Sequence, residues 1–349
     1  MARRSEYSRR RRRPAPHQPH KSFEKQRVQR LKAGADAKLK RVFAGIGVPG
    51  PKAFKPDPYQ LAAVAAVKRS DCLVTAPTGA GKTWIALQAI THLRKKGGSA
   101  WYASPLKALS NAKYAEFSGI FGADQVGILT GDRKENPEAP VIVGTTEILR
   151  NHLYDAMHLG ESLKTELVIL DEAHFLGDPD RGVVWEEIMI YLPARIPLLL
   201  LSATIGNADR IADWLAGMRG RRCAVVAETR RPVPLYPLFF HPSGTLLPFV
   251  TPADAGGKPT LYRKVKEFVN TRRQPRIAPP GRLPPFGDML GVLKKYDLLP
   301  AIFFLKSRAD CDRALELCRE YNPQNGERRN TVSRRILDLV ADSPHIARH

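Results

Sequence analysis

The chain has 349 residues, 43% of them hydrophobic, which is enough for more than one domain with a buried core and excludes wholesale disorder. A net charge of +22 favours a polyanion as the partner, and nucleic acid above all. No apolar run approaches the length of a membrane span, and the four cysteines form no C-x-x-C pair. We therefore expect no membrane partner, no disulfide framework, no zinc site and a cytoplasmic location.

The N-terminal region is dominated by positive charge. Residues 1–32 contain twelve lysines and arginines against two glutamates, and five of the arginines are consecutive, from Arg9 to Arg13. We predict a basic, largely disordered tail over residues 1–47 that binds phosphates without sequence preference. Lys25 to Phe43 can form a basic helix within it. The alternative for the tail is a solvated segment with no partner.

A glycine-rich loop with a lysine and a threonine follows the first strand-like segment. Cys72 to Thr75 is typical of a buried strand and Lys82 to Arg94 of a helix, so the loop leads into a helix N-terminus, which favours bound phosphates. We assign Lys82 to the β- and γ-phosphates of a nucleoside triphosphate and the Thr83 hydroxyl to Mg²⁺, because Gly-Lys-Thr at a helix start is specific for nucleotide binding. The other predicted nucleotide-binding residues of the loop are Thr78, Gly79, Ala80 and Gly81. The alternative is a glycine-rich turn that binds nothing.

Two carboxylates follow a second buried strand. The segment from Glu166 to Leu170 is almost continuously apolar, as expected for a strand covered on both faces. Asp171 and Glu172 come at its C-terminal end, the edge where open α/β sheets bind ligands. We expect Asp171 to hold Mg²⁺ and Glu172 to orient or deprotonate the attacking water. An acidic turn in solvent is the alternative, and the glycine loop upstream argues against it.

Short apolar strands alternate with helical stretches beyond Phe54, which predicts an α/β fold with a doubly wound parallel sheet. The predicted strands are 72–75, 100–104, 126–129, 141–144, 167–170, 198–201 and 224–227. Besides the helix after the glycine loop, the predicted helices include 107–117, 146–157, 183–192 and 207–215.

The composition changes after Arg230. Residues 232–286 are rich in proline, glycine, lysine and arginine, which predicts a connector with an extended start. Regular structure is expected to resume near Asp288 with a helix, followed by the strand 301–305 and a helix over 309–321.

Four further polar clusters lie on loops after predicted strands. They contain Pro105 and Lys107; Gly131; Thr145, Thr146 and Glu147; and Ser202, Ala203 and Thr204. Hydroxyls, backbone N–H groups and a lysine at helix starts can grip a sugar–phosphate backbone without reading bases. Each cluster alone is a common helix cap. Their joint order after a nucleotide loop in a basic chain favours nucleic-acid contacts.

These motifs together resemble those of superfamily-2 helicases of the DEAD/DEAH-box type, and within them the superkiller-like (Ski-type) RNA helicases. The resemblance is dense over residues 50–235 and includes Asp171-Glu172-Ala173-His174 and Arg231-Pro232-Val233-Pro234-Leu235. It implies a RecA-like ATP-binding domain over residues 48–231, ATP hydrolysis with Mg²⁺, and RNA as the substrate. It also implies that Gln60 contacts adenine, that His174 takes part in catalysis and couples the ATP site to Ser202 and Thr204, and that the clusters containing Pro105, Gly131 and Thr145 contact the nucleic acid.

The C-terminal region departs from the family pattern. Helicases of this type carry a second RecA-like domain with an arginine-rich Gln…Gly-Arg segment, and no such segment follows residue 300. We expect residues 287–349 to be a partial second RecA-like domain and the chain to stop inside it. Because arginine fingers contribute about 10³–10⁵ in rate, this chain alone should bind ATP better than it hydrolyses it.

Three other functions stay open at this point. A DNA helicase or DNA translocase would use the same strand-end chemistry. A non-catalytic, ATP-gated nucleic-acid-binding module would fit a chain without arginine fingers. A P-loop kinase fits least, because the acidic pair and the basic tail would then have no purpose.

Overall fold

The computed structural model describes residues 31–45, 54–161, 163–251 and 259–319 and six positions between 330 and 338. The chain divides into two compact units, Pro49–Leu235 and a second unit formed by Met1–Val48 with Tyr236–His349. Residues 1–30, 46 and 47 of the predicted tail lie outside the described residues. Within the described part, no helix is both long enough and apolar enough to cross a membrane.

The elements are numbered in chain order. The strands are β1 (Gly34–Ala35), β2 (Asp71–Thr75), β3 (Ala100–Ser104), β4 (Val126–Leu129), β5 (Lys134–Glu135), β6 (Val141–Thr145), β7 (Leu167–Leu170), β8 (Leu198–Ser202), β9 (Cys223–Ala227), β10 (Leu238–Phe240), β11 (Thr245–Pro248), β12 (Val250–Thr251) and β13 (Thr260–Leu261). The α-helices are α1 (Ala37–Gly45), α2 (Pro58–Val67), α3 (Lys82–Arg94), α4 (Lys107–Phe121), α5 (Thr146–Leu159), α6 (Gly182–Tyr191), α7 (Ala208–Arg219), α8 (Arg263–Asn270), α9 (Phe286–Lys295) and α10 (Arg308–Arg319). Short 3₁₀ turns cover Ala123–Gln125 and Ala173–Gly177.

An eight-stranded sheet forms the centre of the unit Pro49–Leu235. Its order is β5-β4-β6-β3-β7-β8-β2-β9, and every pair is parallel except β4 with β5. The strand ends are level, since Thr75 lies opposite Ser202 and Ser104 lies opposite Thr145. The loops that follow the parallel strands therefore meet along one edge of the sheet.

Helices cover both faces of this sheet, so most of its strands are buried along their whole length. Helices α2, α3 and α4 pack on one face and contribute Tyr59, Ile85 and Phe117 to its core. Helices α5, α6 and α7 pack on the other face, where Trp185 and Leu215 are fully buried. The predicted doubly wound parallel sheet is confirmed, and all seven predicted strands form within one residue of their predicted ends.

A buried ion pair closes the edge of the sheet opposite those loops. Asp71 begins β2 with no exposed surface, and Arg219 ends α7 with a side chain that is 2% exposed; Asp71 Oδ2 lies 2.7 Å from Arg219 Nε. The other carboxylate oxygen accepts a hydrogen bond from the Leu198 backbone N–H at 2.9 Å. Arg219 also donates to the carbonyls of Leu192 and Ile196, both at 2.7 Å. The pair thus joins β2, β8 and α7.

The second unit contains a three-stranded sheet of order β1-β11-β10. Strand β1 runs parallel to β11, with Gly34 opposite Thr245, and Leu39, Leu246 and Val292 form a small core beside it. Asp36 is buried next to β1, and its Oδ2 lies 2.9 Å from Lys264 Nζ. The described part of the predicted tail therefore packs with residues from the predicted connector.

Three sequence-based predictions about this unit differ, in whole or in part, from the structure. Residues 232–286 are not simply an extended connector, because their prolines and glycines separate short strands and the helix α8. The predicted helix from Lys25 covers only Ala37–Gly45 in the described residues, after β1. No strand forms over residues 301–305, although the helices predicted on either side are present as α9 and α10.

Candidate functional site

The glycine loop has the backbone that phosphate binding needs. Gly79 and Gly81 both have φ of +84°, a conformation that other residues rarely adopt. A Cβ at Gly79 would meet nothing within 4 Å, whereas one at Gly81 would lie 2.6 Å from Gln60 Nε2. Thr78 and Gly79 are exposed at the tip of the loop, and Ala80 is buried beneath it. Because α3 begins at Lys82, directly after Gly81, its N-terminal N–H groups point towards the loop.

Lys82 is partly buried inside this loop. Its Nζ donates to the carbonyls of Ala76 at 2.9 Å and Pro77 at 3.3 Å. Burial lowers the pKa of Lys82, and the negative charges of Glu172 and Asp171 oppose that shift. The structure thus brings the loop lysine and both carboxylates into one electrostatic site, although 89 residues separate Lys82 from Asp171 in the sequence.

The two carboxylates directly follow β7, and hydrogen bonds and an uncommon backbone conformation fix their positions. Asp171 Oδ1 accepts a hydrogen bond from the Glu172 backbone N–H at 2.9 Å, and Asp171 Oδ2 accepts one from the Tyr102 hydroxyl on β3. Glu172 has φ of +53°, which is uncommon for a residue with a side chain and is found mostly at functional sites. His174 Nδ1 lies 3.3 Å from Glu172 Oε2. Burial first, and then the charge of Asp171, raise the pKa of Tyr102 well above its ordinary value.

The oxygen ligands at this site fit Mg²⁺. Thr83 supplies a hydroxyl and Asp171 a carboxylate, and Mg²⁺ prefers such hard oxygen ligands. Among the described residues no group of three or more His, Cys, Asp or Glu side chains could hold a metal ion. A Mg²⁺ ion bound with a nucleotide usually has one or two protein oxygens, and phosphate oxygens and water complete its shell. Thr83 Oγ1 accepts a hydrogen bond from Lys113 Nζ at 2.9 Å, a contact that we did not predict from the sequence.

Gln60 is buried beside the loop, and its amide is bound to the protein. Its Oε1 accepts from the Asp57 backbone N–H at 2.8 Å, and its Nε2 donates to the carbonyls of Ala80 at 3.3 Å and Gly81 at 3.1 Å. The Tyr59 hydroxyl also donates to the Ala80 carbonyl. Both amide hydrogens of Gln60 are therefore in use, and its predicted contact with adenine stays a prediction.

An open cavity lies next to this contact. It has a volume of about 240 Å³ and is lined by Asp57, Pro58, Tyr59, Ala80, Glu228, Arg230 and Pro232. Its position beside the loop suits the nucleoside part of a nucleotide. A cavity of about 340 Å³ near Ser99 and Glu166 lies at the opposite edge of the sheet, far from the glycine loop.

The segment after β8 is tied to the strand that leads into the loop. Thr75 Oγ1 donates to the Ala203 carbonyl at 3.1 Å and accepts from the Ile205 backbone N–H at 3.2 Å. The Ser202 hydroxyl is buried and has no hydrogen-bond partner in the described part of the chain. Thr204 is exposed. Among the described residues His174 has no hydrogen bond to Ser202 or Thr204, so their predicted coupling stays a prediction.

The predicted nucleic-acid contacts follow β3, β4 and β6, which are neighbours in the sheet. Lys107 and Gly131 are adjacent, since a Cβ at Gly131 would lie 3.6 Å from Lys107 Nζ. Lys107 Nζ lies 3.2 Å from Asp132 Oδ1, and both side chains are exposed.

The remaining members of these clusters differ in exposure. Pro105, Thr145 and Thr146 are buried. Any contact of their loops with nucleic acid would therefore be made mainly by backbone groups. Glu147 is partly exposed, and its Oε2 accepts a hydrogen bond from Thr146 Oγ1 at 3.4 Å.

Sequence reasoning did not assign Thr75, Tyr102 or Lys113 to the site. Thr75 and Tyr102 are polar residues within apolar strands, which is a usable signal. Lys113 lies 30 residues after Thr83, and only the packing of α4 brings it close.

Comparison with known proteins finds a helicase family and several helicases among the relatives. Residues 57–211 match the family described as DEAD/DEAH box helicase. The chain is 35% identical over 305 residues to the "DExH-box ATP-dependent RNA helicase DExH15 chloroplastic" of Arabidopsis thaliana, covering 75% of this chain and 26% of that protein. It is 38% identical over 293 residues to "Probable helicase HelY" of Mycobacterium tuberculosis, covering 76% of this chain and 31% of that protein.

A third relative is "Superkiller complex protein 2" of Homo sapiens, 45% identical over 184 residues, which cover 52% of this chain and 14% of that protein. The chain thus spans less than a third of the length of each of these relatives.

Proposed function

Residues 57–211 belong to the DEAD/DEAH box helicase family, and on that premise we propose that this chain is the ATP-binding part of an ATP-dependent RNA helicase. The resemblance to superkiller-type helicases predicted from the motifs is confirmed by the relatives. One observation carries the proposal. The loop lysine Lys82 and the carboxylates Asp171 and Glu172 converge at the sheet edge where the predicted nucleic-acid loops also lie.

The proposed chemistry assigns one task to each group. Lys82 and the N-terminal N–H groups of α3 bind the β- and γ-phosphates of ATP. Thr83 and Asp171 are the protein ligands for Mg²⁺, which when bound neutralises charge on the phosphates. Glu172 orients the attacking water and accepts its proton, and His174, 3.3 Å away, holds that carboxylate in place.

The proposed coupling between ATP and nucleic acid uses the segment after β8. Thr75 binds this segment through two hydrogen bonds and leads directly into the loop, so a movement of the loop is transmitted to residues 202–205. The buried Ser202 hydroxyl is available as a new partner when that movement occurs, because its present surroundings leave it unpaired in the described part of the chain. His174 is the proposed partner.

On the nucleic-acid side we propose phosphate and sugar contacts from Lys107, Gly131 and the backbone that follows β6. Lys107 must exchange Asp132 for a phosphate, and such an exchange is inexpensive because the pair is exposed. RNA is proposed over DNA because one relative is named as an ATP-dependent RNA helicase. We propose a cytoplasmic location from the scattered, unpaired cysteines, although one relative is named as chloroplastic.

Binding of matched RNA and DNA tests this function. Fluorescence anisotropy would measure the affinity of the chain for single-stranded RNA and DNA of one sequence, with and without a slowly hydrolysed ATP analogue. We expect the analogue with Mg²⁺ to change RNA affinity, and RNA to be preferred over DNA. Preference for DNA would favour a DNA translocase, and nucleic-acid binding without any ATPase activity in a longer form would favour the ATP-gated binding module.

A further inference from the structure

Lys113 is a cation next to the predicted metal ligand Thr83. Its Nζ donates to Thr83 Oγ1 at 2.9 Å and lies 2.8 Å from Glu116 Oε2. Its side chain is only 18% exposed, whereas that of Glu116 is 40% exposed. Lys113 and Glu116 are three residues apart on α4, so they share one face of the helix and the pair is formed locally.

The surroundings of Lys113 are those of the metal site. The Tyr102 hydroxyl on β3 donates a hydrogen bond to Asp171, and the Tyr102 ring packs against Phe117 of α4 with the ring centroids 5.1 Å apart. Thr83, Tyr102 and Asp171 thus connect the glycine loop, β3 and β7 to α4. Lys113 is bound to Thr83 and Glu116 beside this partly buried, oxygen-rich cluster.

We propose that Lys113 is a positioning residue that holds Thr83 in the absence of nucleotide and is displaced by Mg²⁺ when Mg·ATP binds. The inference rests on the proposed function, because it takes Thr83 as a Mg²⁺ ligand. A hydroxyl oxygen has two acceptor sites, but an ammonium and a divalent cation on the same oxygen would lie within a few ångströms and repel each other. Lys113 must then give up Thr83, and Glu116 is already in place to keep its charge paired.

The displacement reaches the proposed nucleic-acid contacts through one helix. Lys113 lies less than two turns beyond Lys107, which begins α4 and is one of the proposed nucleic-acid contacts. Release of Thr83 removes a tie between α4 and the glycine loop. Binding of Mg·ATP therefore removes one of the contacts that hold α4, the helix that begins with Lys107.

The test is nucleotide affinity as a function of free Mg²⁺, measured with a fluorescent ATP analogue. Lys113→Met keeps the length of the side chain and removes the charge. Because a hydrogen bond from a charged donor no longer competes at Thr83, we expect the Mg²⁺ concentration for half-maximal binding to fall about tenfold. Binding in EDTA should weaken in the same variant, since a cation near the phosphates is lost.

Glu116→Gln should act in the opposite direction. With its exposed partner gone, Lys113 stays more firmly on Thr83, and we expect the Mg²⁺ requirement to rise about threefold. In the Lys113→Met background the same change should have no effect. Lys96→Met, which removes an exposed lysine after α3, is the matched control and should leave the Mg²⁺ requirement unchanged.

The outcomes separate this inference from the proposed function. A parent chain that binds no nucleotide at any Mg²⁺ concentration would overturn both. A parent chain that binds Mg·ATP normally, with an unchanged or raised Mg²⁺ requirement in Lys113→Met, would overturn the role of Lys113 alone. If Lys113→Met fails to fold by thermal melting, Glu116→Gln decides: a lowered or unchanged requirement refutes the exchange.

Discussion

Replacing Gln60 separates two roles that this side chain could have. Gln60 is 2% exposed, and its Nε2 donates to the carbonyls of Ala80 and Gly81 at 3.3 and 3.1 Å. Its Oε1 accepts from the Asp57 N–H at 2.8 Å. Gln60→Ala therefore removes two of the hydrogen bonds between α2 and the glycine loop, whatever base the nucleotide carries, and leaves the one from the Tyr59 hydroxyl to the Ala80 carbonyl.

The expected size of the effect follows from these contacts. A hydrogen bond within a protein contributes about 1 kcal/mol net. Losing the two bonds to the loop therefore makes the ordered conformation of the loop about 2 kcal/mol less favourable. A nucleotide must restore that order on binding. We therefore expect Gln60→Ala to weaken ATP about thirtyfold and GTP by a similar factor.

Equilibrium titration with fluorescent ATP and GTP analogues measures both affinities on the same preparations. Gln125→Ala is a suitable control, because Gln125 binds Arg94 at 2.9 Å and makes no contact with the loop among the described residues. A large loss for ATP with no loss for GTP would mean that Gln60 reads the base, as the family resemblance implies. No loss for either nucleotide would refute the loop-tying role.

Three further changes test other parts of the structure. Glu172→Gln should keep Mg·ATP binding and lower ATP hydrolysis at least about 100-fold in any active longer form, and a parental rate would exclude Glu172 as the water-activating base. Asp71→Ala leaves the Arg219 guanidinium buried without its partner and should destabilise the chain by about 3–5 kcal/mol in urea unfolding, whereas a change below about 1 kcal/mol would show that the pair is dispensable. The hydrogen bond from Lys264 is the largest influence that lowers the pKa of Asp36 below its ordinary value of 3.8, so its stabilising effect is present at neutral pH and is lost as the pH falls through the lowered pKa. Asp36→Asn should therefore reduce stability at pH 7 and flatten the acid unfolding curve, and an unchanged curve would contradict this role.

The large sheet was predictable because its strands are buried on both faces. Residues 167–170 and 198–201 are continuous apolar runs, and turn residues and helices of ordinary length separate such runs along the chain. The small sheet was not predictable, since β1 is only two residues long and pairs with β11 more than 200 residues later. Nothing in the local sequence of Gly34 and Ala35 indicates that partner.

The segment 301–305 was predicted as a strand but does not form one. Its apolar sequence is typical of a strand, yet Ile302 is 80% exposed and Phe304 is 92% exposed, and no strand pairs with it in the described residues. A strand requires a neighbour for its backbone hydrogen bonds, and composition cannot supply one.

The candidate site was predictable where its chemistry is local. The glycine loop and the acidic pair can be identified in the sequence by their residue types. They lie close together because the strands that precede them end at the same level. The contacts of Lys113 with Thr83 and of Thr75 with Ala203 depend on how α4 and β8 pack. The burial of Thr145 and Thr146 likewise follows from their place at the covered end of β6, which residue type alone does not reveal.

The most direct test of the nucleotide site is calorimetric titration of Mg·ATP into the 349-residue chain and into its Lys82→Ala variant, with thermal melting to show that both are folded. Two carbonyls of the glycine loop hold Lys82, and the negative charges of Glu172 and Asp171 act on it, so the parent should bind one Mg·ATP with a saturable isotherm. The variant should show no saturable binding. Equal affinity in the two proteins would contradict the assignment of the glycine loop as an ATP site.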